Sequence, residues 1–178
     1  MIETARLVLR DWREEDIPAF AAMCADTEVM KYFPKLLGYD EASAMARRIR
    51  ANLAREGWGL WAVEVKGGAP FIGFVGLSKP EFRPNEQDVE VGWRLARDAW
   101  GHGYATEAAR AAVAYGFAEL ALPEIVSFTV PANVPSQRVM ERLGMRRDPN
   151  ADFEHPNVPE GSPLRLHWVW RLARPAQT

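Results

Sequence analysis

The sequence has little of several features that define large classes of protein. Cys24 is the one cysteine in 178 residues, so no disulfide can form within the chain. The three histidines, His102, His155 and His167, lack the spacing of metal ligands, and we expect no metal site. No run approaches the roughly 18 apolar residues of a membrane-spanning helix, so we expect no membrane segment.

Neither sign of charge dominates the chain. Lys and Arg total 22, Asp and Glu total 24, and the formal net charge is −2. This balance lacks the basic field of nucleic-acid-binding proteins, and we expect no nucleic-acid partner. Residues 1–10 lack the basic segment and apolar run of a signal peptide, which predicts a cytoplasmic location. The sequence leaves open whether the protein is a monomer or a homodimer.

The chain has enough apolar residues for one substantial core. Hydrophobic residues make up 48% and charged residues 26% of the sequence, which is ordinary for a globular protein. There is no internal repeat and no linker-like segment, so residues 1–178 are predicted to form a single domain.

Hydrophobic periodicity predicts an alternating series of strands and helices. Asp16 is placed to cap the first helix, Gly57 to end the second, and Gly67 and Gly68 to turn a hairpin. Gly73 and Gly76 lie within a strand and indicate a bulge or a close backbone approach. The predicted strands are 4–10, 59–66, 71–77, 89–95, 124–130 and 164–172; the helices begin at 16 and span 40–56, 105–120 and 135–143; looser polar segments are 79–85 and 147–163. This order predicts an α+β fold with a mixed sheet.

The junction between the strand 89–95 and the following helix has the composition of an anion site. Two glycines lie at 101 and 103, where the first amides of a helix lack intrahelical partners and the helix dipole adds positive charge. Glycine also lets a phosphate approach the backbone closely. The candidate pyrophosphate donors are the amides of His102, Gly103, Tyr104, Ala105 and Thr106. A plain tight turn with two glycines is the alternative.

Simple nucleotide motifs do not account for this turn. No Gly-Lys-Ser/Thr is present, so the Walker A pattern fails. The dinucleotide fingerprint is half met, because Gly101 and Gly103 are followed by Thr106 where Gly or Ala is expected. A nicotinamide-dependent reductase therefore stays an alternative that depends on two glycines alone.

Three longer motifs carry a resemblance to a known family. VEVGWRL at 89–95 followed by WGHGYATEA at 100–108, NVPSQRVMERLGM at 133–145, and TARLVLR at 4–10 resemble the GNAT superfamily of acetyltransferases, and most closely its RimJ/RimL-like branch. Trp100 departs from the Gln or Arg of the general family loop but suits that branch. The resemblance implies a single-domain GNAT fold, in which a mixed and mostly antiparallel sheet is splayed at the acetyl-CoA site and flanked by helices.

The same resemblance implies a set of acetyl-CoA contacts. In the family, pantetheine pairs with the backbone of the strand before the turn, here at Trp93 and Leu95, and the pyrophosphate lies on the turn itself. The cofactor-binding residues expected from the family are Trp93, Leu95, Trp100, Gly101, His102, Gly103, Tyr104, Ala105, Thr106, Asn133 and Ser136.

The implied reaction needs a base that keeps the amine neutral and a donor that protonates the departing thiolate. An α-amine has a pKa near 7.7–8.0, whereas a lysine is near 10.4, so an α-amine asks less of the base. Glu90 is the candidate base, because many family members use a carboxylate on this strand. A solvated residue on the polar face of the strand is the alternative.

Ser136 is the candidate proton donor to the thiolate. The family often has a tyrosine seven residues after the motif asparagine, Asn133, but this chain has Met140 there, so the hydroxyl at 136 takes the role. Alternatively, Ser136 bonds local backbone in the first helical turn, and Asn133 is an ordinary loop residue.

Other positions remain open. His155 in the polar loop binds substrate, acts as a second base, or is simply solvated. Tyr32 and Phe33 reach the acceptor groove or pack on the sheet, and Cys24 lies on an apolar helix stripe, where a core role is expected. The sequence thus predicts an N-acetyltransferase that transfers acetyl from acetyl-CoA to a primary amine. A CoA-binding sensor or partner module without turnover is the alternative.

Overall fold

The computed structural model describes residues 1–80 and 87–176. Its nine strands within these residues are β1 (Ile2–Glu3), β2 (Leu7–Arg10), β3 (Leu60–Val65), β4 (Gly73–Ser78), β5 (Glu90–Leu95), β6 (Glu124–Thr129), β7 (Arg146–Arg147), β8 (Phe153–Glu154) and β9 (Leu166–Ala173). The four α-helices are α1 (Asp16–Ala25), α2 (Tyr39–Glu56), α3 (Tyr104–Ala118) and α4 (Val134–Arg142).

The strands form one mixed sheet in the order β1-β2-β3-β4-β5-β6-β9-β7, with β8 paired to β9. Strands β5 and β6 pair in parallel, and the other pairings in the described part of the chain are antiparallel. The α3 helix provides the crossover that a parallel pair requires. The predicted mixed, mostly antiparallel sheet is confirmed.

Each face of the sheet is covered by helices. Phe74 of β4 packs its ring 6.0 Å from Phe20 of α1 and 6.2 Å from Trp12. On the opposite face, Trp61 of β3 packs edge-on against Tyr115 of α3, with ring centroids 5.3 Å apart. Side chains alternate between faces along a strand, so the even-numbered residues of β5 lie on the α1 side.

The sheet opens between β5 and β6. Their parallel register is fixed by the pair Glu90 and Val126, and the Val126 amide donates to the Val89 carbonyl at 2.9 Å. The Ser127 hydroxyl then donates to the Val91 carbonyl at 2.9 Å, where a ladder hydrogen bond would otherwise lie. No further β5–β6 pair forms among the described residues, so the predicted splay is present, with Glu90 at its vertex.

Close backbone approach explains one glycine inside a strand. A Cβ at Gly76 would lie 2.0 Å from the carbonyl oxygen of Gly59. Gly57 ends α2 in the left-handed conformation, with φ of 76°. Both predictions from the sequence are confirmed.

Two predictions about local structure are wrong. Asp16 does not cap α1, since the N-cap is Glu15; the Asp16 carboxylate instead pairs with the buried Arg10 guanidinium at 2.8 Å, an interaction that outweighs capping in a low dielectric. The segment 147–163 is not a plain loop, because it includes β8, which pairs with β9. Most of the looser segment 79–85 lies outside the described residues.

Candidate active site

The turn between β5 and α3 places two glycines in the left-handed region. A short 3-10 helix, Arg97–Ala99, follows β5, and then φ is 80° at Gly101 and 79° at Gly103. Gly103 is the N-cap of α3 and has no side chain to cap it. Residues with a side chain are strained at these angles, so both glycines are needed for this backbone conformation.

The turn presents a row of backbone amides without protein acceptors. The first intrahelical bond of α3 runs from the Glu107 amide to the Gly103 carbonyl at 3.0 Å. The six amides from Gly101 to Thr106 donate to no other group in residues 1–80 and 87–176. Together with the helix dipole, they make a site that fits a diphosphate, as the sequence predicted for five of them.

A charged clamp that sequence reasoning missed holds this turn. Glu107 accepts hydrogen bonds from the Thr4 hydroxyl at 2.6 Å, the Arg6 amide at 3.0 Å and Arg6 Nε at 2.7 Å. Arg6 also donates to the His102 carbonyl at 3.0 Å and lies 4.8 Å over the Tyr104 ring. Burial of Glu107 acts to raise its pKa, but these bonds and the Arg6 charge bring it below the ordinary value. The signal was present in the motifs 4–10 and 100–108, whose contact only the fold reveals.

The open edge of β5 carries backbone groups that have lost their partner strand. The carbonyls of Val89 and Val91 point towards β6. Because alternate residues of a strand point their backbone groups the same way, Trp93 and Leu95 point into the splay. The Trp100 indole donates to the Leu95 carbonyl at 2.9 Å, so Trp100 closes the end of this edge. The position of Trp93 and Leu95 agrees with the predicted pantetheine contacts.

Glu90 has the electrostatics of a base that works near neutral pH. Its half-buried carboxylate lies at the vertex of the splay, and burial raises its pKa to about 7, although a hydrogen bond from the Phe128 amide acts in the opposite direction. General bases are most effective when their pKa is close to the working pH. The alternative of a fully solvated strand residue does not describe this environment.

Asn133 and Ser136 lie at the start of α4, directly after β6. The Asn133 side chain accepts the Ser136 amide at 3.3 Å and is the N-cap of the helix. Asn133 is therefore a helix cap and not an ordinary loop residue. The Ser136 hydroxyl is half-buried and has no partner among the described residues, so it is available to a ligand. Met140 is buried, 1% exposed, and cannot replace a tyrosine hydroxyl.

An aromatic and imidazole cluster adjoins the strand that holds Glu90. The Phe128 ring meets Phe153 of β8 edge-on at 5.3 Å, and Phe153 stacks 5.5 Å from His167 of β9. His155 lies 5.0 Å from His167 between ring centroids. Burial lowers the pKa of both histidines, and for His155 the neighbouring imidazole lowers it further. Both shifts favour the neutral imidazole, and His155 is held in a cluster rather than free in a loop.

The α1–α2 connection covers the same face of β5 that carries Glu90. Phe33 is 36% exposed and its ring lies 4.1 Å from the Arg94 guanidinium carbon. Phe33 thus packs over β5 on the face that carries Glu90, while Cys24 below it is fully buried, as expected for a core residue.

Metal clusters and membrane-spanning helices are absent from the described part of the chain. No three His, Cys, Asp or Glu side chains in residues 1–80 and 87–176 converge as a metal site would require. No helix in the same ranges is both long and apolar enough to span a bilayer.

Comparison with known proteins identifies the family. Residues 6–146 match the acetyltransferase (GNAT) domain. An uncharacterized N-acetyltransferase of Bacillus subtilis (strain 168), YnaD, is 32% identical over 162 residues, which cover 90% of this chain and 89% of YnaD. The crystal structure of a GNAT-family acetyltransferase from Bacillus anthracis superimposes with a TM-score of 0.80 at 28% identity, covering 97% of this chain and 98% of the other.

A more distant solved structure shares the fold and contains coenzyme A. It is RimL, a ribosomal L7/L12 α-N-protein acetyltransferase, with a TM-score of 0.74 at 14% identity over 96% of this chain and 95% of that one. GNAT acetyltransferases use acetyl-CoA, and the unpartnered amides of the β5–α3 turn and the open edge of β5 fit that cosubstrate. The chain therefore belongs to the GNAT acetyltransferase family, with acetyl-CoA as its acetyl donor.

Proposed function

We propose that this protein transfers the acetyl group of acetyl-CoA to a primary amine by direct attack in a ternary complex. The acceptor is a protein N-terminal amine or a small-molecule amine. We further propose that the protein belongs to the RimJ/RimL-like branch, which the motifs at 4–10 and 100–108 and the likeness to RimL support. The lone cysteine agrees with a reducing, cytoplasmic setting.

The observation that carries the proposal is the placement of Glu90. A carboxylate with a pKa of about 7 lies at the vertex of the splay, at the head of the strand edge formed by Trp93 and Leu95. The acetyl donor supplies an activated thioester. The Glu90 carboxylate takes a proton from the amine nitrogen, directly or through water, and so maintains the neutral amine that forms the new N–C bond.

Ser136 completes the proton balance. Its hydroxyl lies in the first turn of α4, on the far side of the splay from β5, and has no partner in the described residues. It donates a proton to the sulfur as the C–S bond breaks, and solvent reprotonates the serine. The amides from Gly101 to Thr106 hold the diphosphate and so fix the register of the donor along β5.

A non-catalytic CoA-binding module is the second candidate, favoured by one observation. Met140, which cannot donate a proton, lies buried where the family often has a tyrosine. Such a module would bind acetyl-CoA through the same turn but would not consume it.

Free-thiol release separates these functions. The protein is incubated with acetyl-CoA and a panel of peptide and small-molecule amines, and coenzyme A is titrated with a thiol reagent; thermal stabilisation by acetyl-CoA and by NADH is measured in parallel. We expect stabilisation by acetyl-CoA and amine-dependent thiol release. Stabilisation without turnover on any amine would favour the binding module, and stabilisation by NADH alone would contradict the proposed cosubstrate.

A further inference from the structure

Arg94 is a buried cation on the acceptor side of β5 that the mechanism above does not use. It is 8% exposed and lies on the same strand face as Glu90 and Gly92. Its Nη1 donates to Cys24 Sγ at 3.3 Å, and its guanidinium carbon lies 4.1 Å from the Phe33 ring and 5.6 Å from the Phe74 ring. Its surroundings are therefore apolar or weakly polar.

The guanidinium has no countercharge in residues 1–80 and 87–176. Nε is buried and donates to nothing, and Nη2 likewise has no partner there. Burial lowers the pKa of Arg94. The other buried arginine, Arg10, is by contrast paired with both Asp16 and Glu64 at 2.8 Å. Burying a charge without a pair lowers the stability of the fold. The protein carries this destabilisation at Arg94 but not at Arg10.

The unused edge of Arg94 has the geometry of a carboxylate receptor. Nε and Nη2 are the two donors that together grip a carboxylate in a bidentate pair. Gly92 separates Arg94 from Glu90, and no atom of residues 1–80 and 87–176 lies within 4 Å of a Cβ placed there. The described residues therefore leave space on this strand face between the base and the guanidinium. At about 3.3 Å per residue, the two positions are about 13 Å apart along β5.

We propose that Arg94 binds a carboxylate on the acceptor, at a distance from the amine that Glu90 deprotonates. This proposal rests on the proposed acetyl transfer and narrows its acceptors to amines that carry a carboxylate. Phe33, a residue that is about a third exposed, covers the guanidinium and must move aside when the acceptor enters. The carboxylate then replaces Phe33 as the partner of a charge that is already desolvated.

Matched acceptor pairs test the carboxylate directly. One arm uses straight-chain ω-amino acids of increasing length and their carboxamides; the other uses C-terminally amidated peptides with Ser-Glu or Ser-Gln at the N-terminus. Each pair differs in one negative charge, and the two arms distinguish a small amino acid from a peptide side chain. We expect kcat/KM to favour the carboxylate in at least one arm by about tenfold or more, as a charged hydrogen bond implies.

Variants then assign that preference to Arg94. Arg94→Met keeps the length and apolar contacts of the side chain but removes the charge, and should reduce the carboxylate-over-carboxamide ratio to about one. Arg94→Lys should retain part of the ratio, because it keeps the charge but not the bidentate edge. Arg48→Met, which removes one exposed charge from α2, is the control and should leave the ratio unchanged.

Binding measurements keep this test separate from the test of acetyl transfer. Calorimetry on the protein saturated with coenzyme A gives the affinity of each compound without turnover. If carboxylates bind better than carboxamides and Arg94→Met removes the difference, the Arg94 site stands even where thiol release fails. The proposal is wrong if both members of every pair bind with equal affinity or react at equal rates. It is also wrong if Arg94→Met lowers the affinity for carboxylates and carboxamides by the same factor. Neither result bears on acetyl transfer itself. Should Arg94→Met not fold, Arg94→Lys provides the test, and an unchanged carboxylate-over-carboxamide ratio in that variant would contradict the bidentate site.

Discussion

Glu90 and Phe128 lie on opposite strands where β5 and β6 separate, and the Phe128 amide favours the ionised form of the Glu90 carboxylate. This amide lies two residues beyond Val126, which forms the last regular pair with β5. Burial at this vertex is what raises the pKa to about 7.

Replacing Glu90 with Gln should lower kcat/KM by roughly 10²–10⁴-fold, the usual contribution of a general base. In the native protein, kcat/KM expressed per neutral amine should rise with pH through about 7, because the carboxylate must be ionised to accept a proton. The variant should lack this limb. The measurement is initial rates across pH 5.5–9 with amines of different pKa. If the midpoint of the pH–rate profile changes with the pKa of the amine and does not stay near 7, the role of Glu90 is contradicted.

The same pKa shift has a defined effect on stability. The pKa of Glu90 in the folded protein is raised above the ordinary value of 4.5, so the native state binds more protons than the unfolded state between pH 4.5 and 7. The contribution of Glu90 to stability is therefore complete below pH 4.5 and is lost as pH rises through about 7. The Glu90→Gln variant should show a flatter stability profile over this range. Urea unfolding at several pH values would reveal it.

Replacing Ser136 with Ala should slow acetyl transfer by about a hundredfold while acetyl-CoA binds with nearly native affinity. The hydroxyl has no partner in the described residues, whereas the Ser136 amide, which Asn133 caps at 3.3 Å, is kept in alanine. Single-turnover rates and calorimetry separate the two effects. Equal losses in rate and affinity would mean that Ser136 is only a binding or structural residue.

Gly103→Glu should abolish acetyl-CoA binding, because it places a carboxylate and a bulky side chain among the amides that receive the diphosphate. Part of the effect would be backbone strain, since φ at Gly103 is 79°. Gly161→Glu is the matched control: Gly161 has φ of 78°, and no atom of the described residues lies within 4 Å of its added Cβ. Calorimetric titration of both variants decides the point, and native affinity in Gly103→Glu would refute the assignment of this turn.

Glu107→Gln should weaken acetyl-CoA binding by about three- to tenfold, because it loosens the clamp that Thr4 and Arg6 form on the β5–α3 turn. Since the pKa of Glu107 is lowered, its contribution to stability is present above pH 4.5 and lost as pH falls through the lower folded value. Glu3→Gln, which breaks the nearby exposed pair with Lys66, is the control. Equal affinities in the two variants would show that the clamp does not shape the cofactor site.

Much of the fold follows from local patterns that a sequence displays directly. The helices α2 and α3 begin and end within two residues of their predicted bounds, because their apolar positions recur at the helical period. The glycine turn is also predicted by the sequence, since Gly101 and Gly103 supply the positive φ angles that few other residues adopt. The conformation of this turn could therefore be predicted, and its binding of a pyrophosphate stays a prediction.

Contacts between distant segments could not be read from these patterns. Asp16 had the sequence position of a helix cap, but a buried Arg10 competes for its carboxylate, and nothing local to residue 16 shows this. The association of Glu107 with Thr4 and Arg6 spans about a hundred positions. Likewise, His155 was assigned to an open loop because the β8–β9 pairing that stacks Phe153 on His167 is not local.

By itself, the sequence determined the elements, the family motifs and the anion-binding turn, because periodicity, glycine conformation and helix-end chemistry act over a few neighbouring residues. The tertiary structure alone decided that Glu90 lies at the vertex of the splay with a raised pKa and that Arg94 is buried without a countercharge. Desolvation and charge pairing depend on what surrounds a group in space, and those surroundings come from strands and helices far away along the chain.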